Sequence, residues 1–506
     1  MTALSSLVWL VPLLPLMAAA ATGLHILFYE KQGDDAEKII GTIVSAASAA
    51  AFLLLAGLGL LSLVQGAPGE VVAGRWLQAG DYRIGITFLL DGYSLGLAVL
   101  VAFIAFLSIR FSINYLHRES GFRRFFMLLS LFNCAMLLIV LAGNAPLMFI
   151  GWELAGLSSY LLIAYAQTRR TATENANRAF VTNRIGDAAF LLGIYFSFSW
   201  LGGADWQHMA QATVTDVHDD LIAGSFLIAA LAKSAQIPFA GWIALALEGP
   251  TPSSAVFYGS LMVHAGVFLL IRLENMILHA PLLMMFLTAI GLTTAVYGWL
   301  SALVQTDVKS SFMFSTTAQT GLMFMACGLG WFEAVKWYLP LHMAWRAWQF
   351  LHAPSLMHQI QGRQRLAPQW LRNNAWLYNA ALRHFWLDPL ADASLLRPTQ
   401  ALARDLCNFD DKVVNRLVGL PHERPLPGSA TPGSSVGHGQ GVAGRFMEVL
   451  ARGLQWFEEH LILRGGGESL IAGIQRLGKY MQQVEILLGQ PRYLILLIAA
   501  TFVVIL

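Results

Sequence analysis

Charge is what this sequence has least of. Aspartate, glutamate, lysine and arginine make up 12% of its 506 residues, against 56% hydrophobic residues, and the mean hydropathy is +0.58. So little charge cannot keep that much apolar side chain in water, which excludes a set of soluble domains. The two signs nearly cancel, at a formal +2, and the basic residues lie in loops rather than in one patch, which excludes an electrostatic nucleic-acid surface. Cysteine is scarce too. Cys134, Cys327 and Cys407 show no CxxC spacing, which excludes a disulfide scaffold, and the apolar surroundings of the first two suit inert core thiols. No nucleophile–base set, metal-ligand cluster or cofactor motif is visible, so no catalytic, metal or cofactor site is expected, and any enzyme activity would belong to a larger assembly.

What the chain does have is long apolar runs. They cover about 4–28, 40–65, 85–112, 124–143, 145–166, 178–200, 221–246, 253–273, 281–303, 310–330 and 334–352, each long enough for a bilayer, with a shorter last one at about 492–506. The first run lacks a positive flank and reads as a spanning helix rather than a cleaved leader. The fold class expected is therefore an all-α polytopic membrane protein of about twelve transmembrane helices. Loops after the first, third and fifth runs carry Lys31, Lys38, Arg118, Arg123, Arg124, Arg169, Arg170 and Arg178, whereas those after the second, fourth and sixth carry only Arg75 and Arg83. By the positive-inside rule the first set is cytoplasmic and the N-terminus outside, in a cell inner (plasma) membrane.

One stretch stands out from these runs, Leu231-Ala-Lys-Ser-Ala-Gln-Ile-Pro-Phe-Ala-Gly-Trp242. A lysine at membrane depth costs about 3 kcal/mol on insertion scales, so Lys233 should face protein or water rather than lipid. Pro238, five residues on, cannot donate to the carbonyl of Ser234, which predicts a discontinuous helix with a free backbone acceptor beside the lysine. Glu153 lies in mid-run as well, and pairing with a lysine of a neighbouring helix would satisfy both groups. Asp91, Asp187, His264, Lys309, His342 and Arg346 complete a spaced series of ionisable groups in or at the edges of the runs. Asp91 and Lys309, at run ends, fit helix capping or snorkelling as well as function. His264 alone fits a satisfied core histidine equally well. His342 and Arg346 are four apart and share a helix face.

After Gln359 the composition turns polar and amphipathic. Leu450, Leu454, Phe457 and Leu461 recur at helical spacing, a pattern for a helix on a membrane or partner surface, and the Pro/Gly/Ser-rich run at 425–444 reads as a flexible linker. The organisation expected is N-terminal helices at 1–84, a membrane core at 85–355, a cytoplasmic or lateral amphipathic segment at 356–424, the linker, amphipathic helices at 445–490 and a last span at 491–506.

Five motifs carry a family resemblance. Ile150-Gly-Trp-Glu-Leu-Ala-Gly-Leu-Ser-Ser-Tyr160, Arg178-Ala-Phe-Val-Thr-Asn-Arg-Ile-Gly-Asp187, the Lys233 stretch through Glu248-Gly-Pro-Thr-Pro252, Thr306-Asp-Val-Lys-Ser310 with Phe314-Ser-Thr-Thr-Ala-Gln319, and His342-Met-Ala-Trp-Arg-Ala347 resemble the antiporter-like subunits of respiratory complex I and Mrp-type sodium/proton antiporters. The resemblance implies translocation of H⁺ or Na⁺. It makes Glu153 and Lys233 the glutamate–lysine pair of a first half-channel, with Asp187 tuning it; the spaced series that also holds His264, Lys309, His342 and Arg346 suggests on its own a relay of polar sites. The chain departs from the family pattern at Ala240, at Ala244-Leu245 and at Arg346, which stands where a lysine is usual and, being an arginine, does not release a proton. It then runs almost directly into Trp386-Leu-Asp-Pro-Leu-Ala391 and Phe409-Asp-Asp411, similar to the family's C-terminal region, without the helices that would hold a second half-channel. That shortening resembles the membrane subunit of the Dab inorganic-carbon accumulation complex. It implies a large cytoplasmic zinc-containing, carbonic-anhydrase-like partner; the alternative is a proton-pumping subunit among other complex I-like, hydrogenase or Mrp membrane subunits.

Overall fold

The computed structural model describes residues 5–29, 33–79, 82–211, 217–359, 366–409 and 479. Two units divide the chain at Pro398 and Thr399. Apart from residue 479, the amphipathic stretch at 445–490, the linker and the last span expected from the sequence lie outside the described residues.

The first unit is a helical membrane body, as its composition requires. Its helices are α1 (Leu10–Phe28), α2 (Asp34–Gln65), α3 (Gly92–Tyr115), α4 (Phe122–Leu141), α5 (Ala145–Ile163), α6 (Arg170–Phe196), α7 (Val217–Lys233), the short α8 (Gly241–Leu245), α9 (Thr251–Arg272), α10 (Pro281–Leu303), α11 (Val308–Gly328) and α12 (Phe332–Gln359). Seven of these, α1 to α5, α9 and α10, are long and apolar enough to cross a bilayer by length and composition. The more polar α6, α11 and α12 bury Asp187, the threonines 316, 317 and 320, His342 and Arg346. Helix starts follow capping chemistry: the carboxylates of Asp91 and Asp307 and the side-chain oxygen of Asn144 accept from the backbone N–H three residues on, at 2.6, 2.8 and 2.8 Å.

One of the expected spans starts differently. The run assigned to a helix from residue 85 begins as a strand: β1 (Gly69–Ala79) and β2 (Tyr82–Leu90) form an antiparallel hairpin whose register runs from Gly69 opposite Leu90 to Ala79 opposite Tyr82. A short apolar run such as Ile84–Leu90 cannot be told from a helix by periodicity alone. Asn144 ties the hairpin to the body, donating to Thr87 Oγ1 and to the carbonyl of Gly85 at 2.7 and 2.9 Å. Beside it the Asp205 and Glu70 carboxyls are held above the usual carboxylate range, both chiefly by burial, and Glu70 also by the Asp205 charge.

Contacts sort the loops into two ends. Asp91 with Arg272, and Lys336 with Glu274, join at the hairpin end, at 2.6 and 2.8 Å. At the other end His117 meets Glu37 and Arg169 meets Glu248, at 2.8 and 3.2 Å, so the basic loops are gathered there. Between the ends, α10 and α11 cross backbone to backbone. A Cβ on Gly298 would lie 2.6 Å from the amide nitrogen of Ala318, and one on Gly321 would lie 2.7 Å from that of Ala295; Gly291 and Gly328 are equally crowded. Small residues at such a seam replace the hydrophobic drive that lipid removes. Past α12, the helices α13 (Gln369–Asn373), α14 (Ala375–Leu382) and α15 (Leu387–Ala391) turn back, and Leu371 and Ala381 pack on Leu300 and Val304 at the end of α10. The second unit's described helix, entered at Arg397 and ending at Phe409, exposes Leu402, Leu406 and Phe409, the spacing of an amphipathic face.

Gly298→Val or Gly321→Val is expected to destabilise the folded protein by about 1–3 kcal/mol, read as a lowered melting temperature in detergent. Gly57→Ala, where a Cβ meets nothing within 4 Å, should leave the melting temperature within error. Because the raised carboxyls bind protons more tightly when folded, their contribution to stability is present in acid and is lost as pH rises above the ordinary carboxylate range. The melting temperature of the Glu70→Gln, Asp205→Asn double variant should fall less between mild acid and neutrality than that of the parent.

Candidate functional site

The site is built on the break that the sequence predicts. The α7 helix stops at Lys233, Ala235 turns through left-handed backbone (φ 50°), the Ile237–Pro238 bond is cis, and helix resumes at Gly241. The carbonyl of Ser234, expected free beside Pro238, is instead taken by Nε2 of Gln236 at 2.8 Å, and the same amide donates to Thr320 Oγ1 of α11 at 3.1 Å. The Ile237 N–H donates to Thr294 Oγ1 of α10 at 3.1 Å, and the Trp242 indole N–H reaches across the gap to the carbonyl of Ala232 at 3.0 Å. Apart from the Gln236–Thr320 contact, which joins two side chains, each of these bonds satisfies a backbone group that an unbroken helix would have satisfied itself.

Lys233 is 1% exposed. Its Nζ donates to the carbonyl of Trp152 at 3.1 Å, lies 5.0 Å from the centre of the Trp152 ring, and is 3.9 Å from Oδ1 of the buried Asp187. Asp187 Oδ2 is 3.0 Å from Nη2 of Arg184, and Nη1 of Arg184 donates to Glu153 Oε2. Glu153 thus reaches Lys233 through Arg184 and Asp187 rather than by a direct ion pair. The four groups form a line of alternating sign, two negative and two positive. Two glycines make room for it. A Cβ on Gly156 would lie 3.3 Å from Arg184 Nη2 and 3.4 Å from Lys233 Nζ, and one on Gly186 would lie 2.5 Å from the Ala232 methyl, so α5 and α6 approach the lysine only because both positions lack a side chain.

A second cluster lies on α9, α11 and α12. His264 Nε2 and His342 Nδ1 are 2.8 Å apart, and Arg346 Nε donates to His342 Nε2 at 3.1 Å. A guanidinium only donates, so His342 accepts at Nε2, carries its proton on Nδ1 and donates it to His264. Arg346 also donates to Gln349 Oε1 at 2.7 Å and Ser315 Oγ at 2.6 Å. It is 5% exposed and has no carboxylate within 4 Å among the described residues. The clusters adjoin, since the Ser234 hydroxyl, next to Lys233, donates to the carbonyl of Val263, next to His264, at 2.7 Å.

Of the residues singled out from the sequence, Glu153, Asp187 and Lys233 come together in one cluster, and His264, His342 and Arg346 in the other. Lys309 sits half-buried in the first turn of α11 beyond the Asp307 cap, in neither cluster. Asp91 combines a cap with an ion pair, joining the α3 start to Arg272. Sequence reasoning missed Arg184, although its signal was present as an arginine three residues before a buried aspartate on one helix face.

Two family models match the chain. The one described as "NADH:quinone oxidoreductase/Mrp antiporter, TM" covers residues 142–371, and "NADH-Ubiquinone oxidoreductase (complex I), chain 5 N-terminus" covers 76–126. Among curated proteins, the chloroplastic NAD(P)H-quinone oxidoreductase subunit 5 of Nephroselmis olivacea is 34% identical over 70% of this chain and 56% of its own length. NAD(P)H-quinone oxidoreductase chain 5 of Synechocystis sp. is 32% identical over 72% and 54%. The chain thus spans little more than half the length of these relatives. Among solved structures, the Mrp complex of Dietzia sp. has a chain that aligns over 99% of this one and 63% of its own length, with a TM-score of 0.61 and 20% identity. The archaeal membrane-bound sulfane sulfur reductase has one that aligns over 71% and 73%, also with a TM-score of 0.61 and 20% identity. Both likenesses concern the fold.

Arg184→Met strands Glu153 and is expected to destabilise the protein by about 1–3 kcal/mol. Combining it with Glu153→Gln should recover part of that loss, a coupling of about 1 kcal/mol in a double-mutant cycle read from detergent melts. Strict additivity of the two single changes would refute the ion pair.

Proposed function

We propose a function that starts from family membership: the chain belongs to the antiporter-like membrane subunits shared by NADH:quinone oxidoreductases and Mrp antiporters. In this reading it carries protons across the membrane as one subunit of a larger complex. The observation that carries the reading is the alternating line Glu153–Arg184–Asp187–Lys233 at the helix break.

Lys233 is the one cation in that line able to release a proton, because the guanidinium of Arg184 cannot. Asp187 lies between the two cations. When Arg184 leans toward Glu153, Asp187 is left to hold the ammonium of Lys233; when Arg184 leans toward Asp187, the ammonium loses its counter-charge and gives up its proton. Movement of one partly exposed arginine between two carboxylates therefore loads and unloads the lysine. The His264–His342 pair next to it offers a further step, and Arg346, which has no proton to give and no lone pair to accept one, ends the chain of transfers in that direction. A mobile amine suits H⁺ rather than Na⁺.

The finer proposal is a place in an inorganic-carbon accumulation complex of the cell inner membrane, partnered by a large cytoplasmic zinc-containing, carbonic-anhydrase-like subunit. Its support is a single broken helix among the described residues and the fixed charge of Arg346. The alternative, a pumping subunit of a complex I, hydrogenase or Mrp assembly, is favoured by the names of the relatives.

Lys233→Ala and Glu153→Gln are each expected to abolish ion-dependent activity while membrane insertion and expression stay normal; full activity in either would leave only a scaffolding role. Affinity purification of the tagged chain in mild detergent, followed by mass spectrometry, separates the assemblies. A zinc hydratase-like partner supports the carbon complex, and quinone oxidoreductase or Mrp subunits refute it in favour of the alternative.

A further inference from the structure

The segment after α12 does more than cover the end of α10. His384, Phe385 and Trp386 all adopt left-handed backbone, at φ 50°, 53° and 52°, a conformation that side-chain-bearing residues take rarely. The turn drives the segment inward. His384 packs on Phe314 of α11, with ring centres 4.8 Å apart, and Phe385 packs on Tyr297 of α10 at 6.1 Å. Tyr297 and Phe314 each lie six residues inside their helix ends, so at 1.5 Å per residue this non-spanning segment reaches about 9 Å into the body from the end with the basic loops.

The segment brings two carboxylates to that depth. Asp392 pairs with Arg178 of α6, and Asp388 Oδ2 is 3.3 Å from His384 Nδ1. Asp388 Oδ1 points the other way. It is buried without a hydrogen-bond partner and lies where a Cβ on Gly241 would come within 2.5 Å, so the carboxylate rests on the first residue of α8, directly beyond the helix break. Asp388 and Asp392 share a small cavity with Arg178, Thr182, Gly241 and Trp242, and Trp242 is the residue whose indole bonds the carbonyl next to Lys233. Along α6, Thr182 and the buried Asn183, whose Oδ1 has no hydrogen-bond partner, continue from Arg178 toward Arg184 and Asp187. A polar track thus leads from a histidine–aspartate couple with side chains 24% exposed to the buried lysine, through a region where charge is otherwise costly.

We propose that Asp388, with His384, is the proton-entry group of the Lys233 half-channel, supplied by the segment that follows the last membrane helix of the body. The proposal rests on the conduction reading above. His384 or Asp388 takes a proton from water at the basic-loop end, and the neutral carboxyl passes it to the track beside Gly241 and returns to the anion, so no other reactant is consumed.

The test is proton flux in inverted membrane vesicles holding the full chain in its complex, driven by an imposed membrane potential and read with a pH-sensitive dye. Asp388→Asn should slow flux by at least about tenfold, and concentrated imidazole buffer on the basic-loop side should restore it, because a mobile base replaces a lost surface shuttle but does not repair a packing defect. Gly241→Ala, which keeps the carboxylate but displaces it, should slow flux less and respond to imidazole in the same way. Unchanged flux in Asp388→Asn, or a loss that imidazole does not relieve, overturns the proposal alone. Absence of flux in the parent, or flux in Lys233→Ala equal to the parent's, overturns the conduction reading and this proposal with it.

Discussion

The structure depends on keeping one lysine amine charged, or chargeable, where no water reaches it. Lys233 could be accommodated by one opposed carboxylate, but a simple buried pair is rigid and its desolvation is hard to offset. The protein instead spreads the compensation over a carbonyl, an aromatic face and a line of three more charged groups. The line sums to zero, and its two inner members, Arg184 and Asp187, each have a neighbour of opposite sign on both sides. Neutrality with redundancy is what distinguishes a site that can change its internal pairing from one that only stores an ion pair. The neighbouring helices answer to this requirement: α6 brings two of the charges, and glycines at 156 and 186 set how near α5 and α6 can come.

Much of this was legible in the sequence. Lys233 and Glu153 announce themselves because each interrupts a long apolar run, and Pro238 five residues after the lysine announces the break. Other parts were hidden for physical reasons. The second strand of the hairpin, from residue 85 to Leu90, reads as the start of a helix because an apolar run of its length carries no decisive period. Arg184 was overlooked because it sits near the middle of a helix whose preceding half is polar, so its charge looks solvated until α5 and α7 are packed against it. The supposed free carbonyl of Ser234 was a correct deduction from proline chemistry, but it ignored that a glutamine two residues away can fold back onto it. Sequence-local arguments find the expensive group, whereas the partners that offset its cost come from long-range packing.

The second cluster shows how one substitution of side-chain type alters what a network can do without altering its shape. A lysine in place of Arg346 could also donate to His342, yet it could give its proton away. The guanidinium instead fixes the tautomer of His342 and, through it, the donor that faces His264. The hydrogen bonds of that cluster consequently run one way, from a permanent cation inward, and the fixed charge biases every nearby titration without itself taking part.

The glycine seam between α10 and α11 has a mechanical meaning as well as a packing one. Two helices whose backbones touch at three levels behave as a single stiff beam, and that beam is fastened to the break by both of its helices: Thr294 of α10 holds the backbone amide of Ile237, and Thr320 of α11 holds the side-chain amide of Gln236. A push or twist delivered anywhere along the beam, by lipid or by a neighbouring subunit, is therefore concentrated at residues 234–238, where the backbone has no helical ladder to resist it. The break in the helical ladder and the lysine that the line of charges serves are a single peptide bond apart.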